Sequence, residues 1–223
     1  MRNEYHFEEL ASTQDYAKEL ILNGNSNFLV YSDIQTKGRG RLGRAWDAPN
    51  GGLWFSFDVG FDENKKVFTL GVGVAVREVL EDVYKRKVQL KWPNDLILEN
   101  KKAGGIICEK INDKIIIGIG INTNNENVGI DKAISFYGNT GVKADNYDIM
   151  IRLVRKIAKI NEIEESEVIK LFRENMAYKG EKCLVTVLGE YVAIKDIAEN
   201  GELIVEADDG IKRVFSGEIN VCI

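Results

Sequence analysis

Between Gln35 and Trp46 the chain reads QTKGRGRLGRAW: four cations (Lys37, Arg39, Arg41, Arg44), three glycines (Gly38, Gly40, Gly43) and no acid. Guanidinium forks and an ammonium at this density pair with carboxylate or phosphate oxygens, and the glycines let backbone approach what is held. The target is an anion. A solvated surface loop and an arginine-glycine segment for nucleic acid are the readings this stretch alone leaves open. A second group lies in KWPNDLILENKKAGGI, Lys91 to Ile106. Proline in a strand-like run marks an edge or a break, so Asn94 and Asp95 are presented at a strand end. A carboxylate there can hold magnesium or accept a proton. Lys101 and Lys102 precede Gly104 and Gly105, adjacent strand glycines that cost stability unless a ligand or another backbone comes close. The third group is GIGINTNN, Gly118 to Asn125, a strand ending in asparagines whose amides can read an adenine edge or form a turn. The one histidine, His6, sits on an expected N-terminal strand with no motif around it. It reads as structural, so serine or cysteine nucleophile chemistry lacks its usual base. Catalysis with these residues would rest on positioning and electrostatics.

The elements carrying these groups can be read from the pattern. Ser12 caps a helix over ASTQDYAKELILNGN that stops at Gly24. NFLVYSDI and LWFSFDVG are strands on either side of the cationic loop, and Val67 to Tyr84 is helical. VQLKW, DLIL, AGGIICEKI and KIIIGIGINT are short strands, the last two turning at Asn112 and Asp113. Adjacent strands mixed with helices predict an α+β sheet rather than a βαβ series. Two amphipathic helices follow, over about Tyr147 to Glu162 and Glu165 to Tyr178. After Gly180 the pattern changes to short glycine-punctuated strands, CLVTVL, YVAIKDIA, LIVEAD and KRVFSG, at the spacing of a small all-β barrel. A boundary near Ala177 to Gly180 divides the chain into residues 1–178 and 179–223, the second expected to carry its own small core.

The formal net charge is −5 over 223 residues, with 44% hydrophobic and 29% charged residues, which describes a globular chain and makes the cationic loop a local concentration. The longest apolar run, IIIGIGI, is too short to cross a bilayer and no signal segment opens the chain, so a cytoplasmic location is expected. Three scattered cysteines (Cys108, Cys183, Cys222) predict neither a disulfide scaffold nor a zinc site.

GRGRLGRAW, KWPND, KKAGGI and GIGINTN, in this order and spacing, resemble the signatures of the biotin protein ligases, which join biotin to a carrier-protein lysine using ATP. STQD after the first strand resembles that family's biotin-side turn, with Gln14 where asparagine is usual. The resemblance covers essentially the whole chain. It implies a biotin-lipoate ligase core, class II synthetase-like, with a mixed sheet flanked by helices and an SH3-like C-terminal barrel. It also implies a biotinyl-AMP intermediate. No helix-turn-helix precedes the first strand, so the monofunctional type is expected, without DNA or membrane partners. Carried over by position, Ser12, Thr13, Gln14, Gln35, Gly40, Arg41, Leu42, Lys102, Gly104 and Gly105 would bind biotin. Arg39, Arg44, Trp46, Asn94, Lys102, Asn122 and Asn124 would bind ATP. Arg39, Arg41, Lys102 and Asp95 would be catalytic, with Asp95 holding Mg2+ or orienting the acceptor lysine. The acceptor would be a biotin carboxyl carrier domain. A homodimer through the catalytic sheet also fits the family, and lipoate or octanoate attachment is the alternative within the superfamily.

Overall fold

The computed structural model describes residues 2–60, 62, 65–126 and 133–222, with side chains to residue 220. Strand β1 (Asn3–Leu10) is followed by helix α1 (Thr13–Leu22), and β2 (Phe28–Gln35) then returns parallel to β1. This opening βαβ unit is not continued into a series, and the sheet is of the α+β kind that the pattern predicts. A ten-residue helix lets the chain return in the same direction, which a tight turn cannot do. From β2 on, the described pairs of this sheet are antiparallel. They run through β3 (Leu53–Gly60), β4 (Gln89–Lys91), β5 (Asp95–Leu98), β6 (Lys101–Ile111) and β7 (Lys114–Ile121), in spatial order β1-β2-β3-β7-β6-β5-β4. The β6–β7 hairpin turns at Asn112, whose φ of 55° suits an asparagine.

One face of the sheet is covered by α2 (Phe68–Tyr84), α4 (Asn146–Ile157) and α5 (Glu165–Glu174), with the short α3 (Phe136–Thr140) at the end of β7. Helices α4 and α5 end earlier than their periodicity predicts. A 3-10 turn, Ile160–Glu162, takes over after α4, and α5 gives way at Asn175. Ser12 caps α1 as expected, its Oγ accepting from Asp15 N. The other face of the sheet is covered by α1, through Ala17, Leu20 and Ile21 on Phe28, Val30 and Ile116.

The tail forms an antiparallel sheet from β8 (Lys182–Val185), β9 (Glu190–Ile197), β10 (Leu203–Ala207), β11 (Gly210–Val214) and β12 (Ile219–Cys222). It is consistent with the SH3-like class. Strand β12 was not read from the sequence. Cys183 on β8 is disulfide-bonded, against the expectation from scattered cysteines. Strand pairing brings together residues far apart along the chain, which spacing does not reveal. Cys108 is free.

The tail does not keep a separate core. Val185, Val192, Ile194 and Leu203 belong to the same buried cluster as Leu70, Leu90 and Trp92. Trp92 Nε1 donates to Gly201 O at 3.0 Å, and Arg173 donates to Ile197 O at 2.6 and 2.9 Å. Deleting residues 180–223 strips that cover. We expect the truncated chain to aggregate or to melt at least about 10 °C below the full chain; gel filtration and thermal melting of the two check this.

Candidate active site

A cavity of about 950 Å3 opens over the exposed side of β3, β6 and β7. Six cations line it (Arg39, Arg41, Arg44, Lys91, Lys101, Lys102) against three carboxylates (Asp95, Glu181, Glu218), an excess of three positive charges in a chain of net charge −5. Such an enclosure raises the local concentration of anions.

At one end stands the first turn of α1. Ser12, Thr13 and Gln14 are buried, and so is Ser56 on β3. Gln35 Oε1 accepts from Thr13 N at 2.7 Å and from Thr13 Oγ1 at 3.1 Å. Ser56 Oγ lies 2.9 Å from Thr13 Oγ1 and donates to Gln14 Oε1 at 3.0 Å. The floor is glycine. A Cβ on Gly118 would sit 2.4 Å from Gln14 Oε1, and one on Gly120 3.0 Å from Trp46 Nε1. Alternation along β7 sends Ile117, Ile119 and Ile121 into the core instead.

The cationic loop is a folded ribbon. Trp46 N donates to Gly38 O at 2.8 Å and Gly40 N to Arg44 O at 2.7 Å. A Cβ on Gly38 would lie 2.5 Å from Trp46 O, so the close strand approach requires glycine there. The tip turns through Leu42 (φ 56°) and Gly43 (φ 72°). Arg41 Nη1 donates to Asn94 Oδ1 at 3.0 Å, and Arg44 is ion-paired with Glu218. The loop is thereby tied to the KWPND turn and to the C-terminal sheet. Arg39 is held from three sides: Nε to Asp15 at 2.6 Å, and Nη1 and Nη2 to Glu109 at 2.9 and 2.8 Å. The Glu109 hydrogen bond pushes the guanidinium further toward its charged form, and Arg39 in turn holds the Glu109 carboxyl below its ordinary range.

On the opposite wall, β4 and β5 meet at the Trp92–Asn94 turn and place Asp95 between two lysines, Lys102 Nζ at 2.7 Å and Lys91 Nζ at 3.1 Å. Burial alone would raise the Asp95 carboxyl; the ammonium groups of Lys102 and Lys91 outweigh it and hold it below its ordinary range. Lys102 Nζ also lies 5.1 Å from the centre of the Trp46 ring, a cation–π distance.

Most of the sequence-predicted residues converge on this cavity: Ser12, Thr13, Gln14, Gln35, Arg39, Gly40, Arg41, Arg44, Trp46, Asn94, Asp95, Lys102 and Gly105 line it. Four do not. Gly104 faces Gly120 O and Leu96, because neighbours on a strand point to opposite sides and only Gly105 faces Trp46, Asp95 and Lys102. Leu42 is 79% exposed at the loop tip. Asn124 is spent on the loop from α3 to α4, donating to Ala144 O and accepting from Ala144 N, and Asn122 Oδ1 accepts from Asn125. His6 stacks on Tyr31 and pairs with Asp33 on the exposed side of β1. Reasoning from sequence missed Tyr178, Glu181, Leu184, Glu218 and Asn220 on the cavity wall and Glu109 behind it, and gave no role to Lys91 and Lys101, which also line it. Glu109 carried no local signal, because its partners Arg39 and Gln14 stand 70 and 95 residues away along the chain.

Asp95 does not suit a resident magnesium ion. Both its oxygens are matched to ammonium groups, and no cluster of three or more His, Cys, Asp or Glu able to hold a metal occurs among the described residues.

Comparison with known proteins agrees with this geometry. Residues 7–122 match the model of the biotin/lipoate A/B protein ligase family, and residues 180–221 match the biotin protein ligase C terminal domain. The bifunctional ligase/repressor BirA of Bacillus subtilis is 31% identical over 97% of this chain and 73% of its own length. The biotin--[acetyl-CoA-carboxylase] ligase of Mycobacterium tuberculosis is 26% identical over 86% of this chain and 77% of its own length. A structure of biotin protein ligase from Aquifex aeolicus in complex with biotin and ATP superimposes with a TM-score of 0.88 at 33% identity, covering 99% of this chain and 98% of that one. Two family models in the expected order, with whole-chain likeness to a solved ligase, leave one reading: the chain belongs to the biotin/lipoate A/B protein ligase family and, within it, to the biotin protein ligases.

Proposed function

We propose that the chain joins biotin to a carrier lysine in two steps run in the one cavity. In the first, an oxygen of biotin's carboxylate attacks the α-phosphorus of ATP, and the bond to the β-phosphate oxygen breaks to release pyrophosphate. In the second, a lysine amine attacks the acyl carbon of biotinyl-AMP, loses a proton, and AMP departs. Neither step uses a protein nucleophile, in keeping with a cavity that offers fixed charges. The observation that carries the proposal is the excess of three positive charges beside a buried turn of hydrogen-bonding side chains. The match of the tail to a biotin protein ligase C-terminal domain favours biotin over lipoate.

Ser12, Thr13, Gln14 and Gln35 would take biotin's ureido ring, whose donors and acceptors need partners once buried. Lys102 is assigned the reacting centre. One of its three N–H bonds is committed to Asp95, and the others are free to bridge the biotin carboxylate and the α-phosphate. Arg41 and Arg44 would close the phosphate side, with Trp46 beside the nucleotide. Asn94 orients Arg41. Asn124 would support the nucleotide through the loop from α3 to α4 that it fastens, and Asn122 through the turn it closes with Asn125. Mg2+ would enter bound to ATP as part of the substrate. Glu181 and Glu218, on the C-terminal wall, would meet the incoming lysine of the carrier domain, for which a biotin carboxyl carrier domain such as that of acetyl-CoA carboxylase is the class proposed.

The division into residues 1–178 for biotin and ATP and 179–223 as a C-terminal unit belongs to the proposal, as does a homodimer using β1, which lies at an edge of the larger sheet. No described helix is long and apolar enough to cross a membrane, and a cytoplasmic site of action is proposed.

Incubated with biotin, ATP, magnesium and an apo carrier domain, the chain is expected to add one biotinyl group to the carrier by intact mass. A carrier left unmodified while lipoate is transferred would reverse the reading. Lys102→Ala is expected to slow pyrophosphate release at least about 100-fold, with the melting temperature nearly unchanged for a residue 37% exposed. Gly118→Ala would drive Gln14 from its position, and roughly tenfold weaker biotin binding is expected by calorimetry, with ATP binding less affected.

A further inference from the structure

Glu109 does not line the cavity, yet three donors from two cavity residues converge on its carboxylate. Oε1 accepts from Arg39 Nη1 at 2.9 Å; Oε2 accepts from Arg39 Nη2 at 2.8 Å and from Gln14 Nε2 at 2.8 Å. An ionised carboxylate can only accept. Gln14 must therefore turn its nitrogen toward Glu109 and its oxygen toward Ser56. A carbonyl oxygen has no proton to give, so Ser56 spends its single proton on Gln14 Oε1. Ser56 can then only accept from Thr13, whose hydroxyl lies 2.9 Å from Ser56 Oγ and also reaches Gln35 Oε1 at 3.1 Å. The Oε1 of Gln35 already receives Thr13 N at 2.7 Å, so this proton assignment leaves every member of the chain with a partner.

We propose that Glu109 is a positioning residue for biotin: it fixes the direction of the hydrogen-bond chain from Thr13 through Ser56 and Gln14, and with the same two oxygens it holds Arg39 at that end of the cavity. The inference rests on the reading above that the first turn of α1 receives biotin's ring. With the direction set, the second N–H of Gln14 is left uncommitted as a donor suited to a urea carbonyl, and Thr13 Oγ1 keeps acceptor capacity suited to a urea N–H. A chain of fixed direction also polarises its members cooperatively. The departure at position 14 becomes intelligible as well, since glutamine has the reach to touch both Ser56 and Glu109.

Glutamine at position 109 cannot do this. Its amide offers one oxygen to three donors and turns an N–H2 group toward one of them, so either Arg39 or Gln14 must let go. If Gln14 flips, the direction through Ser56 reverses. Aspartate keeps the charge and both oxygens on a stem shorter by one methylene.

The test uses the full chain and its variants Glu109→Gln and Glu109→Asp. Biotin affinity is measured by calorimetry without ATP, the KM for ATP by pyrophosphate release at saturating biotin, and stability by thermal melting. Glu109→Gln is expected to weaken biotin binding at least about tenfold while the KM for ATP stays within about twofold. Its melting temperature should stay within about 3 °C of wild type. Glu109→Asp should recover most of the biotin affinity. Two results overturn the proposal: biotin binding within about twofold of wild type in Glu109→Gln, or parallel losses of biotin affinity, ATP KM and melting temperature that Glu109→Asp does not rescue, which would mark a merely structural carboxylate. Wild-type chain that binds no biotin would instead sink the reading of the α1 turn, so the two failures are distinguishable.

Discussion

A carboxylate must be brought into bonding distance of a triphosphate, and the repulsion between those anions dictates how the cavity is built. At 4 Å and an effective dielectric near 20, two unit charges interact by about 4 kcal/mol, so several fixed cations are needed to reverse the sign of the encounter. Cations crowded without substrate would repel one another by the same arithmetic. The chain meets this by giving most of them an anionic partner that leaves donors over: Asp95 for Lys91 and Lys102, Glu109 and Asp15 for Arg39, Glu218 for Arg44. Arg41 alone among the loop arginines leans on neutral acceptors, Asn94 Oδ1 and, at 3.5 Å, Gly217 O. A cation with uncharged partners has least to lose when phosphate arrives.

Holding charge in fixed positions demands a rigid support, and here that support is a glycine-floored sheet. Gly105, Gly118 and Gly120 remove side chains where Trp46, Lys102 and Gln14 come down onto β6 and β7. The register pairs Gly105 with Gly120, which aligns two of these gaps across the strands. The isoleucines between them anchor the same strands in the core. Strand alternation thus separates the two jobs: one face binds, the other packs.

Much of this could be read from the sequence, because the chemistry is concentrated in short segments. GRGRLGRAW, KWPND and KKAGGI each supply several cavity residues from one loop, turn or strand end, and the capping of α1 by Ser12 and the β6–β7 hairpin are local events with local signals. What the sequence concealed depends on pairing. Gly104 and Gly105 look alike until the strand assigns them to opposite faces. Asn124 carries an amide fit for adenine, but the fold has brought Ala144 to that amide first. Glu109 resembles any charged residue on a strand until Arg39, distant along the chain, folds over it. The parallel pairing of β1 with β2, the disulfide at Cys183 and the strand β12 are long-range facts of the same kind.

The C-terminal sheet shows why two units share one core. Arg44 reaches Glu218 and Arg41 reaches Gly217, so the loop that would cover the reacting atoms rests on a wall supplied by the tail. That wall lines the cavity with Glu181 and Glu218, opposite in charge to the cations of the loop and of the β4–β6 wall. The first step needs positive charge around the phosphates, whereas the second brings in a lysine that an acidic surface attracts. A hinge between the units would let both charges drift, and electrostatic catalysis falls away when its charges must reorganise. Burying Trp92 beneath Gly201 and fastening Arg173 to Ile197 removes that freedom. The shared core is in this sense a condition of the chemistry, since it holds the acidic wall against the cationic loop and the lysine-bearing wall.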